Sequence, residues 1–141
     1  MALGASGFGD NYFVRGMSAS FELLSRARLT HGRPSYQVDR VTVGSSEVEV
    51  VEEAAFVTPF GTLLHFRKKD VESAQPRVLV VAPLSGHFAT LLRDTVETLL
   101  PENDVYITDW HNARDIPKDA GVFGFDEYVD HIIQFLEHMG P

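Results

Sequence analysis

The amino-acid sequence predicts an α/β fold with a mixed sheet, in which an antiparallel hairpin is followed by a parallel βαβ unit. Three observations predict it. Alternating apolar and polar residues flank a Pro-Gly turn between positions 38 and 67; a strand, an amphipathic helix and a strand follow between 77 and 109; and a second helical stripe begins at Phe125. The chain has 141 residues, 44% of them apolar, which is material for one sizeable core and not for two.

Each element has a local reason. Met1 to Gly16 carries Gly4, Gly7, Gly9 and Gly16 and reads as a flexible leader covering residues 1–17. Its spacing, G-x-x-G-x-G with no strand before it, lacks the context of a dinucleotide fingerprint. From Ser18 to Arg28 an N-cap serine and Phe21, Leu24 and Leu29 near helical spacing suit a short helix, which His31-Gly32-Arg33-Pro34 terminates. Val38 to Val43 and Glu47 to Val57 alternate as strands do. Thr58-Pro59-Phe60-Gly61 turns the chain, and Leu63 to Arg67 returns as the hairpin partner. Asp70 to Pro76 is a polar connection.

Arg77 to Ala82 (R-V-L-V-V-A) has no polar interruption after its first residue, as expected for a strand covered on both faces. Pro83-Leu84-Ser85-Gly86 ends it. Phe88, Leu91, Leu92, Val96, Leu99 and Leu100 then recur at helical spacing until Pro101, and Asp104 to Asp109 forms the next strand. The strands of such a βαβ unit are parallel, with a right-handed crossover. After a loop from Trp110 to Gly124, the apolar positions Phe125, Val129, Ile132, Ile133, Leu136 and Met139 mark a final helix, with Gly140 suited to its C′ position. That helix delivers no further strand before Pro141. The expectation is therefore a truncated domain over 18–141, with one sheet edge open to self-association.

Composition excludes several functions. A formal net charge of −8, with no basic cluster larger than Arg67, Lys68 and Lys69, argues against a nucleic-acid partner. The chain has no cysteine, hence no disulfide, thiolate metal site or cysteine nucleophile within these residues. Its six histidines show no H-x-x-x-H pair, and neither a metal nor a cofactor is expected. Asp126, Glu127 and Asp130 complement the positive end of the last helix. No apolar run is long enough to span a bilayer, so a cytoplasmic protein is expected.

Ligands of open parallel sheets gather beyond the carboxyl ends of the strands. Two loops fall there. In the first, Leu84, Ser85 and Gly86 present backbone N–H groups at a helix start, where they can hold an oxyanion; alternatively Ser85 caps the helix and His87 sits in its first turn. In the second, Asp109, Trp110, His111, Asn112, Arg114 and Asp115 form a dense polar set able to wall a site, or else Trp110 covers the sheet end while Asp109 caps a turn. A triad of Ser85, His111 and Asp115 lacks the G-x-S-x-G elbow that exposes a nucleophile.

The run R-V-L-V-V-A-P-L-S-G-H-F-A-T-L-L-R-D-T-V-E-T-L-L-P-E-N-D-V-Y-I-T-D-W-H-N-A-R-D-I-P resembles the corresponding stretch of intracellular polyhydroxyalkanoate depolymerases. A-S-F-E-L-L near Ala19 and G-F-D-E-Y-V-D-H-I near Gly124 resemble its flanks, so the similarity covers about Ser18 to Pro141. The resemblance implies the N-terminal half of an α/β-hydrolase fold and hydrolysis of stored poly(3-hydroxybutyrate). It implies a Cys or Ser nucleophile on an elbow beyond Pro141, with the acid and the base His later still, so that this chain alone is inactive. Leu84, Ser85 and Gly86 then correspond to the oxyanion-hole loop with His87 beside it, and Asp109, Trp110, His111 and Asn112 to a second loop at the catalytic end. The implied partner is a polyester substrate or granule surface. A non-catalytic granule- or partner-binding homologue and a polyhydroxyalkanoate synthase-like protein are the alternatives.

Overall fold

The computed structural model describes residues 33–71, 74–84 and 88–140. The leader, the helix expected over Ser18 to Arg28, and Ser85, Gly86 and His87 lie outside the described residues. Among the described residues five strands form one sheet: β1 (Arg40–Val43), β2 (Ser46–Val57), β3 (Gly61–Lys68), β4 (Arg77–Val80) and β5 (Asp104–Trp110), in the order β1-β2-β3-β5-β4. The first three strands and β5 pair antiparallel in succession, whereas β4 and β5 pair parallel with Val78 opposite Val105 and Val80 opposite Ile107. The fold is thus mixed α/β, with hairpins leading into a βαβ crossover.

Turn chemistry sets the register. Gly44 occupies φ +61° between β1 and β2, a left-handed conformation that side chains disfavour. Between β2 and β3 the Thr58 hydroxyl accepts from the Phe60 and Gly61 amides and donates to the Gly61 carbonyl, which closes the Pro-Gly turn. The pairing of β2 with β3 slips once between Ala54 and Phe56, a bulge inside the continuous apolar patch.

A 3-10 turn, Ala89–Leu92, precedes the crossover helix α1 (Arg93–Leu99), and α2 (Phe125–Met139) follows β5. Alternation along β5 assigns one helix to each face of the sheet. Val105 and Ile107 join Leu64, Phe66, Val96 and Leu100 in the larger core, together with Tyr36 and Val38 from the segment before β1. Tyr106 and Trp110 point the other way, against Leu63, Phe135 and Met139. The α2 helix starts where the Glu127 carboxylate accepts the Gly124 N–H at 2.7 Å, and its last turn is held by Arg77, whose guanidinium donates to the Met139 carbonyl.

Three expectations need correction. The strand expected over Arg77 to Ala82 stops at Val80 and, among the described residues, lies at the end of the sheet; Val80 packs on the core of the α1 side and Leu79 on that of the α2 side, so both faces are covered although Val78, Leu79 and Val80 stay half-buried. Leu91 is exposed because the tighter 3-10 winding rotates it off the α-helical stripe. In α2 the buried residues are Phe135 and Met139, and Trp110 packs against Tyr128, His131 and Phe135. Phe125, Val129, Ile133 and Leu136, taken from periodicity as the packing face, are exposed. The helix has two apolar faces, and the sheet selects the aromatic one.

Candidate functional site

Because β4 and β5 run parallel, the segments that leave them emerge at one rim, here called the carboxyl rim. The strand pairing ends at Val80, but side chains of β5 continue it. The Ala82 N–H donates to Thr108 Oγ1 at 2.9 Å, and the Ala82 carbonyl accepts from the Trp110 indole N–H at 2.9 Å. Both polar backbone groups of a buried residue are thereby satisfied, and the first loop is tied to the second strand where it departs. Leu84 lies just beyond and is half exposed.

Asp109 follows on the α1 side of the sheet. It is 7% exposed, and Arg33 Nε donates to its Oδ2 at 3.0 Å while another nitrogen of the same guanidinium pairs with Glu52. The guanidinium carbon stands 5.7 Å from the centre of the Tyr36 ring. Burial pushes the Asp109 carboxyl above the usual carboxylate range; Arg33, His111 and the Ala89 backbone N–H oppose that shift without cancelling it. Burial likewise raises the Tyr36 phenol, with the charge of Asp109 acting in the same direction. Arg33 is pulled down by burial but raised overall by its bond to Glu52 and the charge of Asp109.

Trp110 forms the other wall. Besides Tyr128, His131 and Phe135, its indole packs against Phe123, which stacks on Phe60 at 4.7 Å. Gly61 lies under the ring so closely that a Cβ there would meet the indole at 2.8 Å. His111 turns away from the first loop and onto the β2–β3 turn. Its Nδ1 donates to the Pro59 carbonyl at 3.1 Å, which leaves Nε2 as the acceptor from the Thr62 hydroxyl at 2.8 Å in the neutral ring. Asn112 is exposed and folds its Oδ1 onto the Arg114 N–H.

Of the expected site residues, the structure gathers Leu84, Asp109, Trp110, His111 and Asn112 at one rim. Both ring nitrogens of His111 are engaged by Thr62 and Pro59 of the β2–β3 turn, which leaves neither for the base–acid bond to Asp115 that a triad requires. Among the described residues no group of three or more His, Asp or Glu is placed to hold a metal, and no helix is long and apolar enough to cross a membrane. Sequence reasoning missed Arg33, which it used only as part of a helix stop, along with Glu52 and Thr62. A buried Asp at a strand end demands a cation, but nothing local says which one. No family model, no curated protein and no solved structure matches the chain, so its class rests on the fold and on this rim: a mixed α/β domain with two loops tied together at the carboxyl ends of its parallel strands.

Proposed function

We propose that this chain is the N-terminal part of an ester hydrolase of the α/β-hydrolase type, acting on polyesters of 3-hydroxy acids. The observation that carries the reading is the pair of hydrogen bonds joining the Ala82 backbone to the Thr108 hydroxyl and the Trp110 indole, which ties the start of the first loop to the end of β5. In this reading the backbone donors of the Pro83 to His87 loop receive the oxyanion that forms when a nucleophile attacks the ester carbonyl, and Trp110 walls the acyl chain. Such a donor is worth on the order of a hundredfold or more in rate. The fold supports the reading, since a hairpin sheet running into a parallel βαβ unit is what the N-terminal half of such a hydrolase requires.

The test is binding of a soluble 3-hydroxybutyrate trimer to the isotope-labelled full chain. Backbone amides of Leu84 and Asn112 and the Trp110 indole N–H are expected to shift, with no release of monomer from amorphous polymer. Shifts confined to the opposite rim, around His65, would overturn the proposal. A non-catalytic binding role is the second reading, favoured by the exposure of Val81 and Leu84 beside the same rim. It predicts sedimentation with polymer granules that persists when the trimer is present in excess.

A further inference from the structure

We infer that His65 is a proton-dependent latch across the sheet: with a proton on each ring nitrogen it joins Glu53 of β2 to Asp104 of β5, and on losing one it releases Glu53 and keeps Asp104. The latch is independent of the ester-cleaving reading.

Strand register puts its parts on one face. His65 of β3 is directly opposite Glu53 on one neighbouring strand and Tyr106 on the other, and Asp104 precedes Tyr106 by two residues. All four side chains therefore leave the same face of the sheet, at the rim opposite the candidate site. Nδ1 of the ring lies 3.2 Å from Glu53 Oε1, and Nε2 lies 2.7 Å from Asp104 Oδ1. Ionised carboxylates only accept, and a neutral imidazole has a single N–H, so the imidazolium alone satisfies both contacts. The ring also lies flat on Tyr106, with 4.2 Å between centres and 6° between planes, and a cation gains from that aromatic face.

The proton at the first contact belongs to the ring and not to Glu53. Arg67 Nε donates to Glu53 Oε2 at 3.1 Å, and this bond, with His65 adding to it, holds the carboxyl below the usual carboxylate range. On the other side Arg77, opposite Asp104 on β4, approaches Asp104 Oδ2 at 4.0 Å, and Lys68 of β3 stands within electrostatic reach of the same carboxylate. Burial raises the Tyr106 phenol, which stays neutral under the ring. Signs thus alternate from Arg67 through Glu53, His65 and Asp104 to Arg77. Of these residues only histidine is of a type that changes charge near neutral pH.

When the ring loses a proton, two carboxylates compete for one N–H. Asp104 holds the shorter contact and has the less exposed side chain, 28% against 40% for Glu53. Glu53 keeps its bond to Arg67 and is open to water, so it is the one released, and its Oε1 then faces the bare lone pair of Nδ1. His111 provides the internal reference, since a carbonyl at one nitrogen and a hydroxyl at the other suit a neutral ring.

The experiment is a pH series of long-range proton–nitrogen spectra of the histidine rings in the full chain and in a Glu53→Gln variant. In acid both His65 nitrogens should carry protons; as pH rises Nδ1 should lose its proton while Nε2 retains one, and the Glu53 carboxyl signal should move with Nδ1. The amide of Glu53→Gln can donate to the bare Nδ1. At a pH where the wild-type ring is half protonated, that variant should therefore lower the ratio of charged to neutral ring by about threefold or more, with Ala82 amide protection unchanged. A neutral His65 that keeps its proton on Nδ1 overturns the inference, as does a ring that holds a single proton in acid while Glu53 is ionised. An unaltered ratio in a folded Glu53→Gln variant overturns it as well, and if that variant does not fold, the wild-type spectra decide.

Discussion

The two rims of the sheet solve the problem of placing charge in different ways. At the carboxyl rim a single carboxylate, Asp109, is buried against one guanidinium, and burial dominates its protonation. At the amino rim the charges are spread out and wetter. His65 lies flat on Tyr106 at 4.2 Å, with Asp104 at 2.7 Å from one ring nitrogen and Glu53 at 3.2 Å from the other, while Arg67 holds the far oxygen of Glu53. Lys68 closes this rim by donating to the carbonyls of Leu100 and Asn103 below α1. The contrast lies in burial: the charges of the amino rim are paired close to solvent, where Arg67 lowers Glu53 and burial lowers Lys68, whereas the carboxyl rim rests a nearly buried carboxylate on one guanidinium.

The largest way to break the contrast is Trp110→Ala. It removes the indole bond to Ala82 and the packing against four aromatic rings of the α2 side, and should cost about 3 kcal/mol or more in urea denaturation. Loss of Ala82 amide protection without loss of the amino-rim amides would locate the damage. Next comes Arg33→Ala, which leaves Asp109 buried without its cation. Because Arg33 is a third exposed, the cost should stay at or below about 3 kcal/mol. The double change Arg33→Met with Asp109→Leu should recover part of it, a non-additivity that a double-mutant cycle reads directly. Smaller is Gly61→Ala, whose new Cβ must push the Trp110 ring aside, at about 1–3 kcal/mol and with a shift in tryptophan emission.

The smallest effect is also the sharpest comparison, because the two rims respond to acid with opposite signs. The folded-state value of Asp109 is raised, so its contribution to stability is full below the unfolded carboxylate value and declines as pH rises through the folded value. Glu53 is lowered by its Arg67 bond, with His65 adding to it; its contribution is present above the unfolded value and is lost as pH falls through the folded one. Thermal unfolding followed across the carboxylate range should therefore show Asp109→Asn losing an acid-side gain and Glu53→Gln losing an acid-side penalty. Both variants moving in the same direction would show that the rims do not differ in this way.

Much of the architecture was written locally. The alternation before and after Thr58-Pro59-Phe60-Gly61 located β2 and β3 to within a few residues, because a period of two and a proline-fixed turn act over neighbouring positions. The succession R-V-L-V-V-A, helix, D-V-Y-I-T-D gave the parallel pair for the same kind of reason, since a crossover of that length admits little else. The site was half legible. That Leu84, Asp109 and Trp110 share a rim follows from parallel strands, but that Thr108 and Trp110 both bond Ala82 does not, because it depends on how far β4 runs before it leaves the sheet.

The sequence by itself determined the order and type of the elements, the absence of cysteine chemistry and the acidic balance of the surface, all properties of short windows or of sums over the chain. Only the tertiary structure decided that α2 lays Tyr128, His131, Phe135 and Met139 toward the sheet and leaves its aliphatic row outside, that Asp109 takes its cation from Arg33, and that His111 answers to Pro59 and Thr62. Helical periodicity registers any apolar face, but which of two faces is buried depends on the shape of the partner surface. A buried charge, in turn, finds its counter-ion by proximity in space, which spacing along the chain does not encode.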